Sequence, residues 1–273
     1  MGDVILRAEH ISKSFYGNQV LNNVELSLEP GKVHALCGEN GAGKSTVLKI
    51  ITGIYTKDAG EIYLEGKEID VPNVDTAKKY GIHVVPQEMQ MLPELSVAEN
   101  IFIGNLPRTK AGFIDWKTLY KKAAEVKAML GAAGEKIDLK KKAGDYGMGT
   151  WQLIEIMRAF TTDTIKVIAF DEPTSSLSDK EVEVLFNLIR GLREKGLAIV
   201  YVSHRLKEVF ELCDQVSVFR DGQLVRSMLY SVLVTGIFTL LGLATTVSYT
   251  VAVLILLTHF LKKTIRLKFS IGN

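Results

Sequence analysis

The apolar positions of this chain change spacing along its length, and each spacing predicts a different element. Near the start, Val24-Glu25-Leu26-Ser27-Leu28 alternates strictly, so one face is apolar and the other polar, as in a half-buried antiparallel strand. The whole stretch 4–28 reads this way, and Glu61-Ile62-Tyr63-Leu64-Glu65-Gly66-Lys67 reads as a further hairpin arm. Residues 33–37 form an apolar stretch that reads as a buried strand. Residues 167–170 and 198–202 are continuously apolar, as expected of parallel strands covered on both faces by helices. Between these two runs Ser178-Asp179-Lys180-Glu181 makes a capping box, and Val182, Leu185, Ile189 and Leu192 recur at helical spacing. The result is a strand, helix, strand unit. Asp115 stands as a helix N-cap before Trp116, Leu119, Ala123, Val126 and Leu130, which share one helical face. Residues from about 89 to 160 read mostly as helix and are expected to form a helical subdomain inserted in the core. The predicted fold is α/β, with a mixed, centrally parallel sheet and an antiparallel subdomain.

Chemistry enters at the end of the first apolar strand. Gly38-Glu39-Asn40-Gly41-Ala42-Gly43-Lys44-Ser45-Thr46 is a complete phosphate-binding P-loop, set between a strand and a helix predicted to open at Thr46-Val47-Leu48. Gly38, Gly41 and Gly43 let the backbone curl close to a polyphosphate with its N–H groups turned inward. Lys44 stands where its ammonium can reach the β- and γ-phosphates. The Ser45 hydroxyl can ligate Mg²⁺, and the helix adds the positive end of its dipole. Asn40 and Thr46 complete the expected nucleotide-binding set.

Composition narrows the setting. The chain has 273 residues, 47% of them hydrophobic, and a formal charge of +2. Its basic residues are spread out apart from Lys140-Lys141-Lys142 and Lys262-Lys263, so nothing in the charge pattern asks for nucleic acid. Cys37 and Cys213 have neither metal nor disulfide spacing, which fits a reducing cytosolic setting; Cys213 falls in a predicted helix. The N-terminus carries neither the basic-then-apolar segment of a secretory signal nor the downstream hydroxyl of a myristoylation motif.

Five further elements follow the P-loop in an order that resembles the ATP-binding cassette (ABC) family, from about residue 4 to 225. The resemblance implies a P-loop NTPase fold and MgATP as cofactor. It makes Asp171, at the end of an apolar strand, the metal-holding aspartate, and Glu172 the general base acting on the attacking water. Gln87, in Val85-Pro86-Gln87-Glu88, matches a glutamine that reaches metal and water. His204, in Val202-Ser203-His204-Arg205, matches the histidine that contacts the γ-phosphate. Ser176-Leu177-Ser178-Asp179 matches the loop that crosses to a partner cassette. Phe15, with Tyr16 as the alternative, stands where the family stacks an aromatic ring on adenine.

One part departs from the family. Aligning Gln152-Leu153-Ile154-Glu155-Ile156 places Tyr146-Gly147-Met148-Gly149-Thr150 over the signature, which presents a serine hydroxyl to ATP on the opposite cassette; here Gly147 replaces that serine. Losing one hydrogen bond to a charged group costs on the order of 1.5–3 kcal/mol, so the site completed in the partner is expected to be weakened.

The stretches 92–104, 112–116 and 202–209 look like the ATPases of bacterial monosaccharide importers of the ribose, galactose and arabinose class. That class implies a membrane permease, a sugar-binding protein, a second cassette in tandem, and a place on the cytoplasmic face of the cell membrane. Two alternatives stand beside this: a nucleotide-binding module with little turnover, and an ABC ATPase working outside transport. The cassette is expected to occupy 1–226, followed by an apolar tail, 227–273. Residues 228–261 carry no Asp, Glu, Lys or Arg, a run of about 34 residues that exceeds the ~20 needed to cross a bilayer. A hairpin anchor, or a non-native end replacing a second half, are the two readings of this tail.

Overall fold

A computed structural model of the chain describes residues 4–161 and 165–229; the first of its two compact units ends at Ser227. The alternating N-terminal stretch forms β1 (Leu6–Phe15) and β2 (Asn18–Leu28), joined by Tyr16 and Gly17 at φ 50° and 82°. Two consecutive left-handed residues make the tight turn that matches strand twist in a hairpin. β3 (Val33–Gly38) is buried from Val33 to Cys37. It leads directly into α1 (Lys44–Ile51), which starts two residues before the expected opening at Thr46. Segment 61–67, expected as a single arm, instead straddles a hairpin: β4 (Ala59–Leu64), a turn at Glu65 and Gly66, and β5 (Lys67–Ile69). Glu65 and Gly66 again have positive φ, 51° and 76°, and it is this turn that the alternation hides.

After α2 (Val74–Lys79) and β6 (Ile82–Val85) come α3 (Val97–Ile101), α4 (Trp116–Ala128) and α5 (Met148–Ala159). α-Helix takes up less than half of residues 89–160, with short 3₁₀ turns at Gly131–Gly134 and Ala143–Asp145 and irregular chain around Pro93 and Pro107. Proline and positive-φ glycines, Gly104 and Gly112, interrupt what the apolar spacing suggested was nearly continuous helix. Asp115 caps α4, accepting from the Thr118 N–H at 3.0 Å. Leu119, Ala123, Val126 and Leu130 are buried as expected, while Trp116 is half-exposed and stacks on Tyr120.

The chain returns to the core through β7 (Val167–Asp171), α6 (Asp179–Glu194), β8 (Ala198–Val202), α7 (Leu206–Leu212), β9 (Gln215–Arg220) and β10 (Gln223–Leu229). Cys213 closes α7 as its C-cap in extended conformation rather than lying inside the helix. The strands form two sheets. One is antiparallel in the order β2-β1-β4-β5; the other runs β10-β9-β3-β8-β7-β6 and is parallel from β9 to β6. α1 joins them, burying Val47, Leu48, Ile50 and Ile51 in one core with Leu6, Leu21 and Leu26 from the first sheet and Leu36, Ala169 and Val200 from the second. Every residue of β7 and β8 is buried, which their unbroken apolar runs require.

Among the described residues no helix is long and apolar enough to cross a membrane. The apolar run 228–261 lies outside the described residues except for Met228 and Leu229, which end β10.

Candidate functional site

Parallel strands deliver their C-terminal ends to one edge of a sheet, and loops leaving that edge are where an open α/β fold binds ligands. The register aligns Leu36 of β3 with Val202 of β8, Val202 with Asp171 of β7, and Val85 of β6 with Phe170. The P-loop, Asp171-Glu172, Ser203-His204 and Gln87 therefore all emerge from the same edge, although they are spread over more than a hundred residues of sequence.

Local sterics shape the P-loop. Gly38 has φ 146°, and a Cβ there would stand 2.3 Å from the Phe219 carbonyl oxygen on the neighbouring strand; Gly43 has φ 100°, and a Cβ would meet Leu21 Cδ2 at 2.6 Å. Only glycine satisfies both positions. Gly41, also at positive φ, has open space around it. Asn40 is exposed in the loop, and Thr46 is half-buried in the first turn of α1. Lys44 is buried, and its Nζ donates to the carbonyls of Gly38 at 2.9 Å and Glu39 at 2.8 Å. The ammonium is thus held inside the curl of the loop. Cys37, at the end of β3 before the loop, has its thiol pushed up to about 11 by burial, with Lys44 opposing.

Two pairs of polar groups close the site. Ser45 Oγ donates to Asp171 Oδ1 at 3.0 Å, tying the start of α1 to the end of β7 across 126 residues. Burial raises the Asp171 carboxyl above its usual range, while the Ser45 hydroxyl, Lys49 and Lys44 pull it down. Hard oxygen donors meeting beside a buried ammonium form a set suited to a hard divalent cation carrying phosphate. The second pair is Glu172 and His204, with Oε1 and Nδ1 3.3 Å apart; Glu172 is largely buried and His204 is half-exposed. Glu172 has φ 46°, unusual for a residue with a side chain, and its N–H donates to the Val202 carbonyl at 3.1 Å. Gln87 is exposed two residues beyond β6, at the same edge but outside both bonded pairs. Phe15 lies on the antiparallel sheet, edge-on to Tyr55 with ring centroids 5.1 Å apart, and the Lys13 ammonium stands over its ring. Tyr16 is fully exposed at the turn.

The signature-like segment opens α5. Gly147 is its N-cap, with φ −80° and ψ 175° and no side chain to bond the first turn. The Gly149 N–H instead faces the Glu181 carboxylate, whose other oxygen accepts from the Ser178 N–H at 2.9 Å and hydroxyl at 2.7 Å. One carboxylate thus serves the N-termini of α5 and α6, and these bonds hold it below its ordinary range.

Several residues that organise the site carry no motif. Asn100 is fully buried, bonded to Leu92, Leu95 and Ser96, and reached by Arg158; Glu155 accepts from the Gln90 N–H and from Arg158. These bonds fasten the segment after Gln87 to α5. Glu208 collects the hydroxyls of Thr174, Tyr201 and Ser203. Its partners lie in the loop after β7, on β8 and in the loop after β8, so no spacing along α7 reveals it. The Ser96-Glu99 capping box on α3 was readable from its Ser-x-x-Glu spacing alone.

The pattern that defines the ABC transporter family matches residues 21–175. The chain is 47% identical over 222 residues to the ribose import ATP-binding protein RbsA of Shouchella clausii, covering 81% of this chain and 44% of that one. It is 44% identical over 216 residues to the protein of the same name from Geobacillus kaustophilus, covering 79% and 43%. It therefore spans less than half the length of these curated relatives. Among solved structures, a nucleotide-free ATP-binding cassette from an ABC transporter superposes with a TM-score of 0.71 at 30% identity, covering 83% of this chain and 91% of that one. An ADP-conformation cassette gives 0.71 at 31% identity with the same coverage. A family pattern matched across more than half the chain, on a fold shared with solved cassettes, assigns it: this chain belongs to the ABC transporter family.

Proposed function

We propose that the chain binds and hydrolyses MgATP to energise import of a monosaccharide through a partner permease. The observation that carries this is the meeting, at one sheet edge, of the enclosed Lys44 ammonium, the Ser45–Asp171 pair at 3.0 Å and the Glu172–His204 pair at 3.3 Å. Phosphoryl transfer to water needs the phosphate held, its charge matched and the water oriented, with little covalent help from protein. Backbone N–H groups of residues 38–46 and Lys44 serve the phosphates; Ser45 and Asp171 would hold Mg²⁺, and Gln87, exposed at the same sheet edge, is assigned to reach it from outside that pair. The metal supplies charge neutralisation at the phosphate oxygens. Glu172 would take the proton of the attacking water, and His204, within reach of that carboxylate, is assigned to the γ-phosphate. Phe15 is assigned to the adenine.

Ribose is the sugar named for the two RbsA relatives, and a pentose or similar monosaccharide is the cargo class proposed here. A permease, a sugar-binding protein and a second cassette are the proposed partners, at the cytoplasmic face of the membrane. The cassette is assigned to residues up to about 226. Glu172→Gln tests the chemistry: ATP affinity stays within about twofold while phosphate release falls at least a hundredfold, within the range for loss of a general base. Unchanged release would remove Glu172 from that role.

Gly147 favours a second reading, a module that binds nucleotide with little turnover, because α5 offers no hydroxyl at its N-cap. Tight ATP binding without phosphate release, even beside a competent partner cassette, would select it.

A further inference from the structure

Glu208 lies near the start of α7 and is 6% exposed. A carboxylate leaves water only when hydrogen bonds replace its hydration, and Glu208 has them on both oxygens. Oε1 accepts from Thr174 Oγ1 at 2.7 Å and from the Arg205 guanidinium at 3.3 Å; Oε2 accepts from the Tyr201 hydroxyl and Ser203 Oγ, each at 2.9 Å. Ser203 Oγ in turn accepts from the Arg205 N–H at 3.0 Å.

The positions of these partners decide what the cluster does. Thr174 is two residues beyond Glu172. Ser203 and Arg205 are the residues on either side of His204, and Tyr201 anchors the group to β8. One carboxylate therefore grips both loops whose tips carry the 3.3 Å Glu172–His204 pair, while its own bonds go to neither member of it. Glu172 needs such support, since a side-chain-bearing residue at φ 46° persists only where its surroundings over-determine it. Merely filling a hole would not require a charged group with four donors converging on it from three segments.

We infer that Glu208 is a positioning residue: it locks the Glu172 loop against the His204 loop and so sets the separation of the two groups that handle the attacking water. This rests on the hydrolytic reading of that pair. The test uses E208Q in the full chain, which keeps shape and volume and replaces two acceptor oxygens by one and an amide. E208Q lowers kcat at least tenfold with KM for ATP within twofold. A raised KM with unchanged kcat, or no change in either, overturns the inference. A second measurement does not need turnover. Amide hydrogen exchange in E208Q accelerates together in 172–176 and 203–205 while β3 stays protected; acceleration confined to α7, or spread evenly over the molecule, overturns the locking role. Absence of phosphate release from the wild-type chain with exchange still coupled would count against hydrolysis by this pair and leave the locking role standing.

Discussion

At the scale of single residues, the site depends on atoms that are missing as much as on those present. In Gly38→Ala the new methyl would lie 2.3 Å from a backbone carbonyl of β9, at a φ that side chains avoid, and backbone on both sides has little room to move. Overpacking of this kind costs about 1–3 kcal/mol, with the forbidden φ adding more. A lowered denaturation midpoint together with lost ATP binding is the expected result, whereas Gly41→Ala, in open space, costs less stability. The histidines give a second prediction. Burial lowers His34 and His83 from 6.5 to about 4, so below pH 6.5 the unfolded chain takes up protons that the folded one refuses. Stability is therefore full above about pH 6.5 and falls as the pH drops toward 4, by up to roughly 3 kcal/mol for each ring. Denaturant unfolding at pH 7 and pH 5 measures this, and His34→Gln should flatten the slope. The glycines were legible because the P-loop spacing implies them. His34 was not, because it sits inside an apolar run and its partner, Ser217 Oγ at 2.7 Å, is 183 residues away.

At the scale of elements, local signals were read well and shared contacts were not. The Ser178–Glu181 box and the Asp115 cap are formed by neighbouring residues, so spacing alone reveals them. That the same Glu181 carboxylate also faces Gly149 depends on how α5 meets α6, which no periodicity encodes. The N-terminus of α5 carries the prediction for this scale. Gly147 already has extended cap geometry, and a Cβ there meets nothing within 4 Å. Gly147→Ser therefore fits without strain and changes stability by only a few tenths of a kcal/mol, the usual difference between serine and glycine at an N-cap. On the proposed function its larger effect falls on the nucleotide of a partner cassette, where an added hydrogen bond to charged phosphate is worth about 1.5–3 kcal/mol, or roughly tenfold or more in rate. Phosphate release from an assembly with a competent second cassette checks this. An unchanged rate would show that α5 does not face the partner's nucleotide.

At the scale of the whole molecule, the parallel strands were visible as unbroken apolar runs, but the division into two sheets was not. β4 pairs with β1 across some fifty residues, and only the shared core around α1 shows why. That core makes nucleotide binding measurable as stability. α1 carries Lys44 and Ser45 at its first two positions and buries its far turn between the sheets, so a ligand held at the loop also holds the helix that joins them. At a hundred times its dissociation constant, a ligand that binds only the folded state adds about 2.7 kcal/mol. For a domain of this size that raises the melting temperature by roughly 5–10 °C. Lys44→Ala removes the ammonium and should abolish the shift with MgATP, whatever it does to the unliganded protein. Glu172→Gln should retain the full shift, since on the proposed function its carboxylate acts on water rather than on the phosphates. A shift that vanished in both variants would mean that Glu172 holds nucleotide, and the division of labour between the Ser45–Asp171 pair and the Glu172–His204 pair would fail.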